Sequence, residues 1–350
     1  MARYWVWWTG NWSDATNHWA TTSGGAPWAG NLPTATDDVI FDTLSHTTSY
    51  TVTIDTTTAS RDLTFWAPLT GNVTWTWSNN MAVSGSMALY SGLTRTWTGG
   101  ITFNATSWSR TITFAGVTMA SSTTFNWPWW TFTLQDTWNN SGSSITFTQW
   151  TVLTWGNAIT CGAFQLSGTS TKSVTLSSST IISSWNVNFA ATTWLTFNAG
   201  TSTISMTWTT TFTWWSLIWN NLNLTGTTWT NTIVWDNTFN EFKNLKTWAN
   251  TVKFTAGSTN TFTLFTVSWT AGNLVTIDST TTATHALVKA GWGTVSSNYL
   301  NIQHSVATPS STWYAWVNST DNQAVATAGS GWIFTAPPTP WWNSNFLSFM

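Results

Sequence analysis

The groups from which this chain would build a reaction are few. The densest carboxylate cluster is Asp37, Asp38 and Asp42. Glycoside cleavage needs two carboxyl groups about 5–5.5 Å apart with retention, or about 6.5–9.5 Å with inversion. On a strand Asp38 and Asp42 share one face ~13 Å apart at ~3.3 Å per residue, while Asp37 faces away. That is too long for either pair. The run reads as hydrogen bonding to N-terminal loop amides, with a Ca²⁺ role as the alternative if loop carbonyls assist. Asp136 is the only acid between residues 66 and 235, which argues against a β-helix lyase with a multi-carboxylate calcium site. Glu241 and Lys243 read as a solvated surface pair. His18, His46, His285 and His304 are scattered, with no HxH or HExxH spacing. His18 reads as part of an N-terminal cap, and His304 as an outward residue of an alternating strand. Cys161 reads as a small buried apolar residue; standing alone, it excludes an intramolecular disulfide framework and a Cys-clustered zinc site. No GxSxG elbow occurs, and Gly168-Thr-Ser-Thr-Lys172-Ser173 lacks the second glycine of a phosphate loop. No catalytic, cofactor-binding or metal-ligating residue emerges, and the chain reads as a non-enzyme.

Tryptophan is the outlier: 33 in 350 residues, against about one in a hundred in average usage. If all are genuine, their apolar faces would stack on sugar rings. Trp208, Trp214 and Trp215 are then the first candidate platform. Trp313 and Tyr314, near Trp332, are further ligand-contact candidates, with packing in a closing cap as the alternative. Position points elsewhere. Tryptophan recurs where turn chemistry wants glycine, as in Asn126-Trp-Pro-Trp-Trp130, Gly291-Trp-Gly293 and Pro340-Trp-Trp-Asn343. Four Trp-Trp pairs occur (7–8, 129–130, 214–215, 341–342); Gly-Gly is a common breaker and Trp-Trp is not. The reading is that UGA encodes glycine in the source and appears here as tryptophan. Trp5, Trp12, Trp19, Trp313 and Trp332 are the expected genuine ones, and exposed tryptophans are expected at corners of the fold.

The elements that must position these residues are strands. From Tyr50 onward, short runs alternate Thr or Ser with Val, Ile, Leu or Phe, as in Tyr50-Thr-Val-Thr-Ile54 and Thr261-Phe-Thr-Leu264. Such period-2 alternation is the strand signal, and no capped helical pattern of useful length competes with it. Residues 66–235 carry only four charges, Arg95, Arg110, Asp136 and Lys172. A sandwich of that size needs charged faces and edges. Coils stacked on coils need neither, because Thr, Ser and Asn ladders cover the faces and every middle strand is paired. The expected fold is all-β: a right-handed parallel β-helix of about ten coils, each of roughly 20 to 24 residues. The expected divisions are an N-terminal cap at 1–48, the β-solenoid at 49–310, a closing segment at 311–335, and a Pro-rich linker with apolar tail at 336–350.

The opening Tyr4-Trp-Val-Trp-Trp-Thr-Gly-Asn-Trp-Ser-Asp14, His18-Trp19, Pro33 and Asp37-Asp-Val-Ile-Phe-Asp42 resembles a recurrent start of β-helical surface proteins of bacteria and bacteriophage tails. In those proteins Trp7 and Trp8 are usually Gly-Gly. The closing Gly331-Trp-Ile-Phe334 is similar to theirs as well. The resemblance implies a fold and a location on a virion surface or outside the cell; it brings no catalytic residue. A net charge of −2 argues against nucleic acid, and no apolar stretch approaches the ~18 residues of a membrane span. The expected role is a structural or receptor-binding component of a phage tail or virion surface, contacting other virion proteins and a cell-surface glycan or host receptor. The alternative is a bacterial adhesin or carbohydrate-binding solenoid. The start lacks the apolar region of a secretory signal, which favours the virion reading. A homotrimer would suit a fibre, although no coiled-coil heptad demands one.

Overall fold

The computed structural model describes residues 1–338 except 67–68, 70, 78, 97, 106–108, 191–192, 209–210, 214–215, 228, 268 and 324–329, with backbone only at 77, 127–130 and 150. Strand makes up 47% and helix 2% of the molecule, wound as a parallel β-solenoid of about 12 turns. From Asp38 onward, residues that pair in neighbouring coils lie between 18 positions apart, as Thr203 and Asn221 do, and 27, as Thr259 and Ala286 do. The coils are therefore more numerous and more variable than the expected ten of 20 to 24. Only the strands must stay in register, so the corners between them absorb the differences in length.

The alternation explains the stacking. One inward ladder runs Met81, Ile101, Thr123, Ile145, Phe164, Val187, Phe212 and Ile233 through successive coils. Two residues further along each strand, Phe103, Phe125 and Phe147 stack ring on ring, with centroids 5.1 and 5.2 Å apart. Between these inward ladders lies an outward one: Thr102, Thr124, Thr146, Gln165 and Asn188. Gln165 Nε2 donates to Thr146 Oγ1 at 2.8 Å. Period 2 sends every second residue inside, and the parallel register places like on like, so the core is a column of aliphatic and aromatic side chains. Cys161 lies fully buried in such a column, between Asn140 and Ser183; burial pushes its thiol up to about 12.

The first turn is closed by tryptophan. Trp5, Trp12 and Trp19 are fully buried. Trp12 and Trp19 meet edge to face at 4.7 Å, and Trp19 Nε1 donates to the Trp12 carbonyl at 2.8 Å. The His18 ring lies flat on Trp5 at 4.6 Å. A side chain at Gly10 would collide with the His18 imidazole, with a Cβ 1.9 Å from Nε2, so the plug requires glycine there. Pairing crosses both expected boundaries. Gly10–Asn11 and Asp38–Phe41 already pair in parallel with the coil that follows, and Val295–Ser296 pairs with Trp313–Tyr314, which in turn pairs with the last rung, Trp332–Ile333.

The acidic run ties this cap down. Asp37 accepts from the Thr34 backbone N–H (3.1 Å) and Thr34 Oγ1 (2.6 Å), and lies 3.2 Å from the N-terminal ammonium. Burial alone would raise its pKa, but these donors outweigh burial and hold it below the usual carboxylate range. Asp38 makes a two-pronged pair with Arg61, and Asp42 accepts from the Leu44 N–H at 2.9 Å. The substitution Asp37→Ala is expected to cost about 2 kcal/mol, since it removes the charge-assisted hydrogen bonds that this buried carboxylate accepts. Urea unfolding followed by tryptophan fluorescence measures it.

Candidate functional site

Three titratable groups of the solenoid, Asp136, Lys172 and Lys289, are held by its own backbone. Asp136, the lone acid of the middle, accepts from the Phe114 and Ala115 amides at 2.8 and 2.5 Å and so fastens a turn of the preceding coil. Lys172 is buried, and its Nζ donates to the carbonyls of Gly168 (2.8 Å) and Ser170 (2.9 Å). The loop that brushes against a phosphate motif is thus closed by its own lysine. Lys289 likewise donates to the Ala290 and Trp292 carbonyls at 2.7 and 3.0 Å. Lys246 is buried against the Asn231 side chain, and burial lowers its ammonium to about 8. Glu241 and Lys243 form an ion pair of 2.7 Å on the outward face. Among the described residues, no three His, Cys, Asp or Glu side chains come together as a metal set.

Two clusters emerge that the sequence reading passed over, both built by the coil repeat. Lys253, Asp278 and His304 occupy successive coils. Asp278 holds Lys253 Nζ at 3.2 Å and His304 Nδ1 at 2.8 Å. Burial would raise Asp278, but His304, the Ser279 amide and Lys253 together keep it low. Just inside, His285 is buried against Phe254 at 4.9 Å, and burial drops its pKa to about 3. The spacings of 25 and 26 residues are one coil each, which is the signal that could have revealed the triad.

The second cluster is an open pocket of about 360 Å³ at a corner of the rod. Asn198, Asn220 and Asn240 line it from three successive coils, with Trp219 and Ile218 as apolar wall. Ile218 is 71% exposed. Part of the amide capacity is spent locally: Asn198 Oδ1 accepts from the Gly200 N–H at 3.0 Å, and Asn220 Nδ2 donates to the Ser202 carbonyl at 3.1 Å. Neutral amides beside an apolar wall suit an uncharged polyhydroxyl ligand, which needs paired donors and acceptors and a face to lie on.

The predicted aromatic contacts are placed separately. Trp208 is exposed, beyond the C-terminal end of Thr203–Met206, whereas the Asn198–Gly200 wall of the pocket precedes that strand. Trp214 and Trp215 lie outside the described residues. Trp313 is fully buried; it meets Trp332 at 5.1 Å and Phe265 at 5.3 Å, and its Nε1 donates to the Thr308 carbonyl at 2.9 Å. Tyr314 is half-buried on the same short strand. No family model matches the chain, and neither the curated proteins nor the solved structures contain a match to it.

Proposed function

We propose that the chain is a non-catalytic structural or receptor-binding component of a phage tail or virion surface. The observation that carries this reading is the stack itself: about 12 paired coils, plugged by tryptophan at the start and clad in uncharged Thr, Asn and Gln ladders. Such a stack is a stiff spacer whose middle strands are all hydrogen-bonded. The opening segment, similar to that of phage-tail and bacterial surface solenoids, points the same way. The acids that a polysaccharide-cleaving solenoid would place on its face serve turns and ion pairs here, with Asp136 on two turn amides and Glu241 on Lys243. The corner pocket with its three asparagines supplies the chemistry for holding a neutral cell-surface glycan.

Peptide mass spectrometry of purified particles, compared with washed cell envelopes of the same culture, tests the placement. Peptides of this chain are expected in the particles with the tail proteins. Confinement to the envelope fraction would overturn the virion reading in favour of the bacterial adhesin.

A further inference from the structure

The backbone conformation and the burial of the tryptophans sort them into two classes. Among the described residues ten non-glycine positions have positive φ, and five of them are tryptophan: Trp7 (63°), Trp155 (51°), Trp194 (59°), Trp235 (68°) and Trp316 (54°). Tryptophan makes up less than a tenth of the chain, so an even distribution would put about one there. A bulky aromatic in the left-handed region is a genuine outlier, whereas glycine enters it without cost. The neighbours agree. Trp155 is followed by Gly156 at φ 84°, the same pairing of two positive angles as Ala115 and Gly116. Two consecutive positive angles mark a turn that Asn-Gly or Gly-Gly normally fills.

Exposure draws the same line. Of the 22 tryptophans whose side chains are described, eleven are exposed, Trp7, Trp155, Trp194 and Trp235 among them, and Trp292 stands wholly in solvent between Gly291 and Gly293. Eight are buried. Five of the eight are those already expected to be genuine; the other three are Trp75, Trp138 and Trp219. Each of these three occupies an inward position and does the work of a large ring. Trp75 packs edge-on to Phe65 at 5.0 Å, Trp138 stacks on Phe114 at 5.0 Å, and Trp219 lies 4.5 Å from Phe197. Glycine at any of them would leave a hole in the column, because a side chain with this many ring contacts has nothing beside it to fill the volume.

We infer that in its own organism the polypeptide carries glycine at the five positive-φ positions, of which Trp316 is half-buried, and at the seven further exposed tryptophans, and tryptophan at the eight buried ones. The native rod then has no indole ladder on its surface: Trp208 is a glycine of a corner, and contact with a ligand falls to amides and hydroxyls. This inference stands independently of whether the protein belongs to a virion.

Sequencing the gene, together with peptide mass spectrometry of the protein isolated from its source, tests the inference position by position. The expected result is UGA codons and glycine masses at Trp7, Trp155, Trp194, Trp235 and Trp316, with UGG codons and tryptophan masses at Trp75, Trp138 and Trp219. UGG with tryptophan masses at the five positive-φ positions would overturn it. UGA with glycine masses at the three core positions would equally overturn the division by burial.

Discussion

Substituting glycine for tryptophan is expected to move stability in opposite directions at the two classes of position. Trp138→Gly or Trp219→Gly should each cost about 4 kcal/mol, because removing a buried aromatic ring forfeits its transfer free energy and leaves a cavity. Glycine in a strand adds a smaller entropic cost. Trp155→Gly or Trp194→Gly should each stabilise by about 1 kcal/mol. The relief of a left-handed aromatic backbone, of order 1–3 kcal/mol, exceeds the roughly 0.4–1 kcal/mol that a freer unfolded chain takes back. Trp155 and Trp194 are largely solvent-exposed, so little packing is lost with them. Denaturant midpoints of the single variants measure the contrast, and equal shifts of the same sign at both classes would contradict it.

Acid is expected to unfold the C-terminal coils through His285. Its folded pKa of about 3 lies far below the ordinary value near 6.5. Between these two pH values the unfolded chain takes up a proton at His285 and the folded chain does not. Stability is therefore fully present above pH ~6.5 and drains away as the pH falls towards about 3, by as much as about 4–5 kcal/mol if the whole shift is expressed. Asp278, whose burial would raise it but which His304, Ser279 and Lys253 hold below the ordinary carboxylate value, adds a loss of the same sign as acid protonates it. The substitution His285→Phe keeps the ring against Phe254 and removes the titrating nitrogen. The variant is expected to hold its midpoint between pH 6.5 and 4 while the parent loses stability. Parallel curves would show that His285 does not govern acid unfolding.

The solenoid was legible because its signal is local and repeated: Thr-hydrophobic alternation, almost without charge, for most of the chain. The number of coils was less legible, since corners of different length carry no periodic mark. Trp75 could have been read as inward from the parity of Val73-Thr-Trp75-Thr, in which Val73 is also buried. Trp138 opens the three-residue strand Trp138–Asn140, where parity has little to count from, and Trp219 lies in Ile218–Leu224, whose alternation breaks at Asn220 and Asn221. The asparagine pocket and the Lys253–Asp278–His304 triad were invisible for a different reason. Their members are one coil apart, and they meet only once the register of each coil is known. Lys172 shows the reverse case, a suggestive loop whose lysine turns inward to satisfy its own carbonyls.

The central claim is that this rod touches a surface polymer without cutting it, and incubation with envelope polysaccharide from the host tests it most directly. The glycine-containing form of the chain is mixed with the purified polymer, and the release of reducing ends or unsaturated sugars is followed alongside retention of the protein. The account predicts retention with no new ends, and weaker retention when Asn220 and Asn240 are replaced by alanine in the pocket. Sustained release of reducing ends or unsaturated products by the purified chain would contradict it.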